Sequence, residues 1–208
     1  VPLRYIYPPR PKSRIIPSAL AELEKSGQHL VQRKFNGDRC VAAIDAGSAS
    51  HLSNRHGKWH SKKHHKELRK ELLRLKIPSQ GVTYVDGELL KSGVFVMFDL
   101  LQLAGSYMIG KSQVERLLIL DRVSKNPKRF CEISHDGVPL AFQVSKHIWL
   151  AQRWESDFVS HFDECIGHDL IEGLVVRDKD SSLDNWGSNA YSVDWQIRCR
   201  KPSKKYRY

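Results

Sequence analysis

The residues whose types and spacing could do chemistry begin at Lys34, in Lys34-Phe35-Asn36-Gly37-Asp38-Arg39. A lysine amine attacks phosphorus once deprotonated, and burial or neighbouring cations favour that state. Five further clusters follow it. Ser53-Asn54-Arg55-His56-Gly57 runs a strand signal into a turn, where Arg55 can reach a phosphate. Asp86-Gly87-Glu88-Leu89 reads as a turn that places Glu88 at the start of the next segment. Phe98-Asp99-Leu100-Leu101 sets an aromatic in a buried strand, and Glu172-Gly173-Leu174-Val175-Val176-Arg177 offers an acid and a base around an apolar run. In Ile197-Arg198-Cys199-Arg200, strand alternation sends both arginines to one face and Ile197 and Cys199 to the other. Singly, each has a plain reading: Phe98 as core, Glu88 and Glu172 as solvated turn acids, Arg198 and Arg200 as a solvated edge. Jointly they suit phosphoryl transfer, which needs cations and a metal around the attacked phosphorus and a stacking face for a base.

Elements must position these side chains. Residues 1–17, rich in proline and basic residues, read as an N-terminal arm ahead of a domain over 18–208. A short helix is predicted from Ser18 to Lys25, closed by Gly27. Strand signals follow at 29–35, 40–45 and 50–54, with Asn36-Gly37 as a tight-turn signal between the first two. A basic amphipathic helix is predicted from Ser61 to about Lys76, ended by Pro78 and burying Leu68, Leu72 and Leu75. Lys62, Lys63, His64, His65 and Lys66 crowd its first turns as a solvated or phosphate-facing surface, with Lys62 and Lys63 as candidate nucleic-acid contacts. Strands are expected at 82–85 and 94–101. Ser112 and Glu115 form a capping box that opens a helix to about Ser124. Ser145 opens another helix that runs to about Cys165 and closes at Gly167. Late strands are expected at 174–177 and 195–200. Without regular β-α alternation, this order predicts an α+β fold with mostly antiparallel sheets flanked by helices.

The bulk numbers agree with a folded domain. Hydrophobic residues make up 40% of the 208 and charged residues 27%, enough for a packed core. Thirty-four Lys and Arg against 23 Asp and Glu favour a polyanionic partner, nucleic acid before membrane. The four cysteines (Cys40, Cys131, Cys165, Cys199) are widely spaced without C-x-x-C, so reduced thiols and an intracellular setting are expected. No signal peptide or bilayer-length apolar run is present.

With these motifs in order, the chain resembles the nucleotidyltransferase (adenylation) domain of ATP-dependent DNA ligases, an ATP-grasp-like member of the covalent nucleotidyltransferase superfamily. The likeness covers roughly residues 28–201. It implies that Lys34 forms a covalent lysyl–AMP from ATP with pyrophosphate release. It also implies that Arg39 and Glu88 contact the ribose, Phe98 stacks on the purine, and Arg198 and Arg200 hold the α-phosphate. Arg55 would touch a nucleic-acid 5′-phosphate or the nucleotide. Glu172, with Glu88, would serve a divalent metal, Mg²⁺ or Mn²⁺. The implied partner is nicked duplex DNA, with RNA or a hybrid as alternatives, bound by a monomer. An OB-fold domain normally follows the last motif in this family. None is expected within this chain, so it would come in cis or from a partner in trans.

Four positions depart from the family pattern. Asn36 stands where Asp is usual, and Gln32 where DNA ligases often carry the Glu that faces the adenine amine. A Gln oxygen can still accept from that amine, but its NH₂ can also donate. Arg198 and Arg200 replace lysines; each keeps the charge and adds a fork but cannot exchange a proton. Competing readings are an RNA ligase or mRNA-capping guanylyltransferase, and a non-catalytic basic nucleic-acid-binding module. A fourth is a P-loop NTPase, because Gly105 to Ser112 satisfies G-x-x-x-x-G-K-S between a strand and a helix. Against it, Tyr107-Met108-Ile109 is bulky for a loop that wraps its amides around phosphate.

Overall fold

Two β-sheets form opposite walls of one cleft, and the chain crosses repeatedly between them. The computed structural model describes residues 4–60, 65–124, 131–135 and 137–202. The five-stranded sheet runs in the order β1 (Arg10–Ile15), β13 (Ser192–Arg200), β12 (Ile171–Asp178), β2 (His29–Phe35), β11 (Arg153–Trp154). The eight-stranded sheet runs β4 (Ala49–Asn54), β3 (Asp38–Asp45), β5 (Val82–Leu89), β6 (Phe95–Leu103), β10 (Ile148–Ala151), β9 (Val138–Gln143), β8 (Cys131–His135), with β7 (Ser106–Tyr107) on β6. Among the strands of the described residues, only the β1–β13 and β6–β10 pairings are parallel. The predicted α+β class with mostly antiparallel sheets therefore holds.

Each sheet buries its outer face under helices. Val31, Phe35, Leu174, Val176 and Cys199 of the five-stranded sheet pack with Leu20 of α1 (Leu20–Lys25) and with Phe158 and Phe162 of α4 (Phe158–Asp163). Val41, Val85, Met97 and Leu100 of the larger sheet pack with Leu68 and Leu72 of α2 (Lys66–Leu72) and Leu120 of α3 (Gln113–Ser124). The capping box at α3 forms in full. Glu115 accepts from the Ser112 amide at 2.8 Å, and Ser112 Oγ accepts from the Glu115 amide at 3.2 Å. Cys40, Cys165 and Cys199 are free and buried. No helix of the described residues is long and apolar enough to cross a membrane.

Several expectations are corrected. The helix from Ser145 to Cys165 does not form; β10, β11 and the six-residue α4 occupy that span. The run Ile148-Trp149-Leu150-Ala151 fills the slot between β6 and β9, and Asp157, at φ +59°, breaks helical continuity. Glu24 of α1 then supplies the missing cap, accepting from the amides of Asp157 at 2.7 Å and Phe158 at 2.9 Å. The basic helix ends at Leu72 rather than Lys76. Lys62 and Lys63 lie outside the described residues. Residues 10–15, read as part of an arm, are strand β1.

Candidate active site

Strand alternation builds the cleft floor. Gln32 and Lys34 alternate with Val31, Arg33 and Phe35, so β2 gives Val31 and Phe35 to the core and turns Gln32 and Lys34 toward the cleft. Across the ladder Lys34 is opposite Gly173, which is opposite Arg200; Gln32 is opposite Val175, which is opposite Arg198. Arg198 and Arg200 therefore share the Lys34 face, and Ile197 and Cys199 join the core, as their alternation predicts. Lys34 Nζ donates to Glu172, and Arg200 Nη2 lies 3.5 Å from the same carboxylate oxygen. Gly173 between them has φ +135°, and a Cβ there would sit 2.1 Å from the Cys199 carbonyl oxygen. Glycine thus lets Glu172 turn toward Lys34 and keeps the row open.

The facing wall comes from β3, β5 and β6. Asn36-Gly37 makes no hairpin, because β2 and β3 belong to different sheets. The chain passes flat against β5 at Gly37, where a Cβ would meet the Leu89 carbonyl oxygen at 2.5 Å. Lys34 and Arg39 consequently stand on opposite walls. Arg39 forms a two-point ion pair with Asp86, its Nε donating at 2.6 Å, and its Nη2 reaches the Pro9 carbonyl at 3.2 Å.

Phe98 and Glu88 complete that wall. Asp86 pairs with Asp99 and Gly87 with Met97, so Phe98 is the extra residue of a β-bulge that turns its ring into the cleft. The Arg39 guanidinium lies 4.9 Å from that ring and Arg177 lies 5.3 Å from it. Glu88 is not at a turn but inside β5, beside the same bulge. Burial pushes its carboxyl up to about 7, against the opposing pull of Arg39 and Lys34 and with help from Asp86 and Glu172.

Asp99, beneath Phe98, is fully buried. Arg116 binds it through Nε at 3.0 Å and Nη2 at 3.3 Å, and Arg177 Nη1 at 3.1 Å. Gln113 Oε1 accepts from both arginines. Burial alone would raise the Asp99 carboxyl, but Arg116 and Arg177 hold it below the usual carboxylate range.

Above that buried cluster, Lys34, Arg39, Arg55, Glu88, Phe98 and Glu172 help line a cleft of about 660 Å³. Gln32 is buried there with neither its amide oxygen nor its nitrogen paired, so its polar end awaits a partner. The structure brings together Gln32, Lys34, Arg39, Arg55, Glu88, Phe98, Glu172, Arg198 and Arg200 around this one space. It adds Arg10, Arg177 and Gln196, to which sequence reasoning gave no role. Arg177 ends the run that begins at Glu172, and its approach to Phe98 and its bond to Asp99 reveal its place.

No group of three or more His, Cys, Asp or Glu among the described residues could hold a metal ion. A hydrated divalent ion needs only one or two carboxylates plus phosphate oxygens, and Glu172 with Glu88 match that donor set.

Gly105–Ser112 has no phosphate cradle to offer. The amides of Gly105, Met108, Gly110 and Lys111 donate to the carbonyls of Val82, Leu101, Leu183 and Met108, and that of Ser112 to Glu115. Lys111 pairs with Glu115 at 3.1 Å. The segment is a hairpin onto β6 and a helix cap.

No family model and no curated protein matches the sequence. Solved structures do match. A mycobacterial DNA ligase D complexed with ATP and MES is 18% identical, over 94% of this chain and 60% of that one, with a TM-score of 0.62. The ligase domain of M. tuberculosis LigD is 16% identical, over 92% and 58%, at 0.62. A Lig E DNA ligase is 14% identical, over 94% and 70%, at 0.53. The chain thus has the fold of the DNA ligase nucleotidyltransferase domains, while spanning about 60% of the first of these matches.

Proposed function

We propose that this chain is the adenylation unit of an ATP-dependent DNA ligase, with Lys34 as its nucleophile. One observation carries the reading: Lys34, Glu172, Arg198 and Arg200 line one wall of a cleft whose other wall presents Phe98 and Glu88. The purine would stack on Phe98 with Gln32 meeting its edge, and Glu88 and Arg39 would meet the ribose. Lys34 Nζ then attacks the α-phosphorus; an N–P bond forms, the bond to the bridging oxygen breaks, and pyrophosphate leaves with the electron pair. The amine proton departs toward Glu172, the carboxylate it already touches. Arg198 and Arg200 neutralise the α-phosphate oxygens without taking part in proton transfer. A divalent cation held by Glu172 and Glu88 would shield the phosphate charge. In the next step a nucleic-acid 5′-phosphate displaces Lys34 from phosphorus, and a 3′-hydroxyl finally expels AMP to seal the nick. An OB-fold unit in cis or in trans would grip the duplex.

The test is incubation with α-labelled ATP or GTP and Mg²⁺, then denaturing electrophoresis. Label from ATP is expected on the wild type and on Lys111→Ala, and none on Lys34→Ala. Label from GTP alone would replace the ligase reading with a capping-type one. Salt-dependent DNA binding without any label would leave a binding module.

A further inference from the structure

The segment before β2 touches both walls of the cleft. Ile6 is buried in the core of the larger sheet, the Arg4 carbonyl accepts from Tyr84 Oη at 2.7 Å, and the Pro9 carbonyl accepts from Arg39. One residue later the chain joins the other sheet as β1, parallel to β13. Residues 4–15 are therefore a strap stitched to both walls, and Arg10 sits where it crosses. Its Nη2 donates to the Arg55 carbonyl at 2.9 Å, and its side chain lines the cleft beside Arg55 and His56.

The Arg55 turn is itself held in place. Asn54 Oδ1 accepts from the amides of His56 at 2.9 Å and Lys58 at 3.1 Å. Gly57, at φ +75°, backs onto the Tyr5 ring of the strap, 3.1 Å from where a Cβ would stand. Neither Arg10 nor Arg55 pairs with a carboxylate among the described residues. Arg10 is opposite Ser192, at the other end of β13 from Arg198 and Arg200. Two guanidinium forks thus face the cleft apart from the cations around Lys34, a geometry suited to a second phosphate.

We propose that Arg10, delivered by the N-terminal strap, binds phosphate in this cleft together with Arg55, and that the group it receives is the acceptor 5′-phosphate of a nucleic acid. The phosphate's source rests on the adenylation reading; the anion site does not.

The test compares a nicked duplex carrying a 5′-phosphate with one carrying a 5′-hydroxyl, titrated against wild type, Arg10→Ala, Arg10→Lys and Lys12→Ala, with labelling by ATP in parallel. Wild type should prefer the 5′-phosphate, and Arg10→Ala should shrink that preference about tenfold, as loss of a charge-assisted pair implies. Arg10→Lys should recover part of it. Lys12→Ala, whose lysine pairs with exposed Asp194, should match wild type. Undiminished preference in Arg10→Ala overturns the proposal. So does weakened binding of inorganic pyrophosphate with the preference intact, which would assign Arg10 to the nucleotide instead. Labelled wild type with an unaffected Arg10→Ala sinks the subsite alone. Unlabelled wild type whose preference still depends on Arg10 sinks the adenylation reading alone.

Discussion

Two clusters in this protein share one charge pattern, a carboxylate between two cations, and differ in water. Asp99 with Arg116 and Arg177 has side chains 0%, 0% and 4% exposed; Glu172 with Lys34 and Arg200 has 33%, 19% and 27%. In the dry cluster all five Arg116 donors are engaged, on Asp99, Gln113 and the Lys111 and Ser181 carbonyls. Nothing there can leave without stranding a buried charge, so the network is a strut beneath Phe98. In the cleft, water and an arriving phosphate can take over from Glu172, so the same pattern makes an exchangeable site. Solvent access, not charge count, separates scaffold from chemistry.

The largest test of that contrast is Asp99→Ala. It leaves two guanidiniums buried without their acid and is expected to lower unfolding stability by about 3–5 kcal/mol in a denaturant titration. A loss below about 1 kcal/mol would erase the distinction. Glu172→Gln should do the reverse: stability within about 1 kcal/mol of wild type, but Lys34 labelling slower by roughly 10²-fold. Equal losses of stability in the two variants would mean both clusters are struts.

A smaller effect concerns pH. Burial raises Glu88 to about 7 from 4.5, so between those values the native chain keeps a proton that the unfolded chain releases. This group's contribution to stability therefore falls as pH rises through that window. Divalent-ion affinity at Glu88 and Glu172 should move oppositely, rising as pH passes about 7. Glu88→Gln should flatten both trends, read by thermal unfolding and by Mn²⁺ titration across pH 5–9.

Local patterns made much of this readable. β2 spans His29–Phe35, as its apolar-polar run predicts, because alternation needs no knowledge of partners. The cap at Ser112 and the arginine face of β13 are likewise local geometry, set within four residues. Pattern fails where a distant segment decides. Asn36-Gly37 carries a hairpin signal, yet the sheet partners of β2 and β3 lie elsewhere, and the turn becomes a crossing between walls. Phe98 reads as core until the register slip opposite Asp86 and Gly87 turns it outward. Arg10 looks like part of a basic tail until β13 claims its strand.

The sequence by itself determined which side chains could do chemistry: a lysine, acids, an aromatic and paired arginines, with the strands that alternate them. Tertiary structure alone decided that they meet in one cleft, that Asp99 is a strut while Glu172 can yield, and that the N-terminal strap joins both walls. The reason is physical. Alternation and capping act over a few residues, whereas sheet membership and burial are fixed by pairings between residues far apart in the chain.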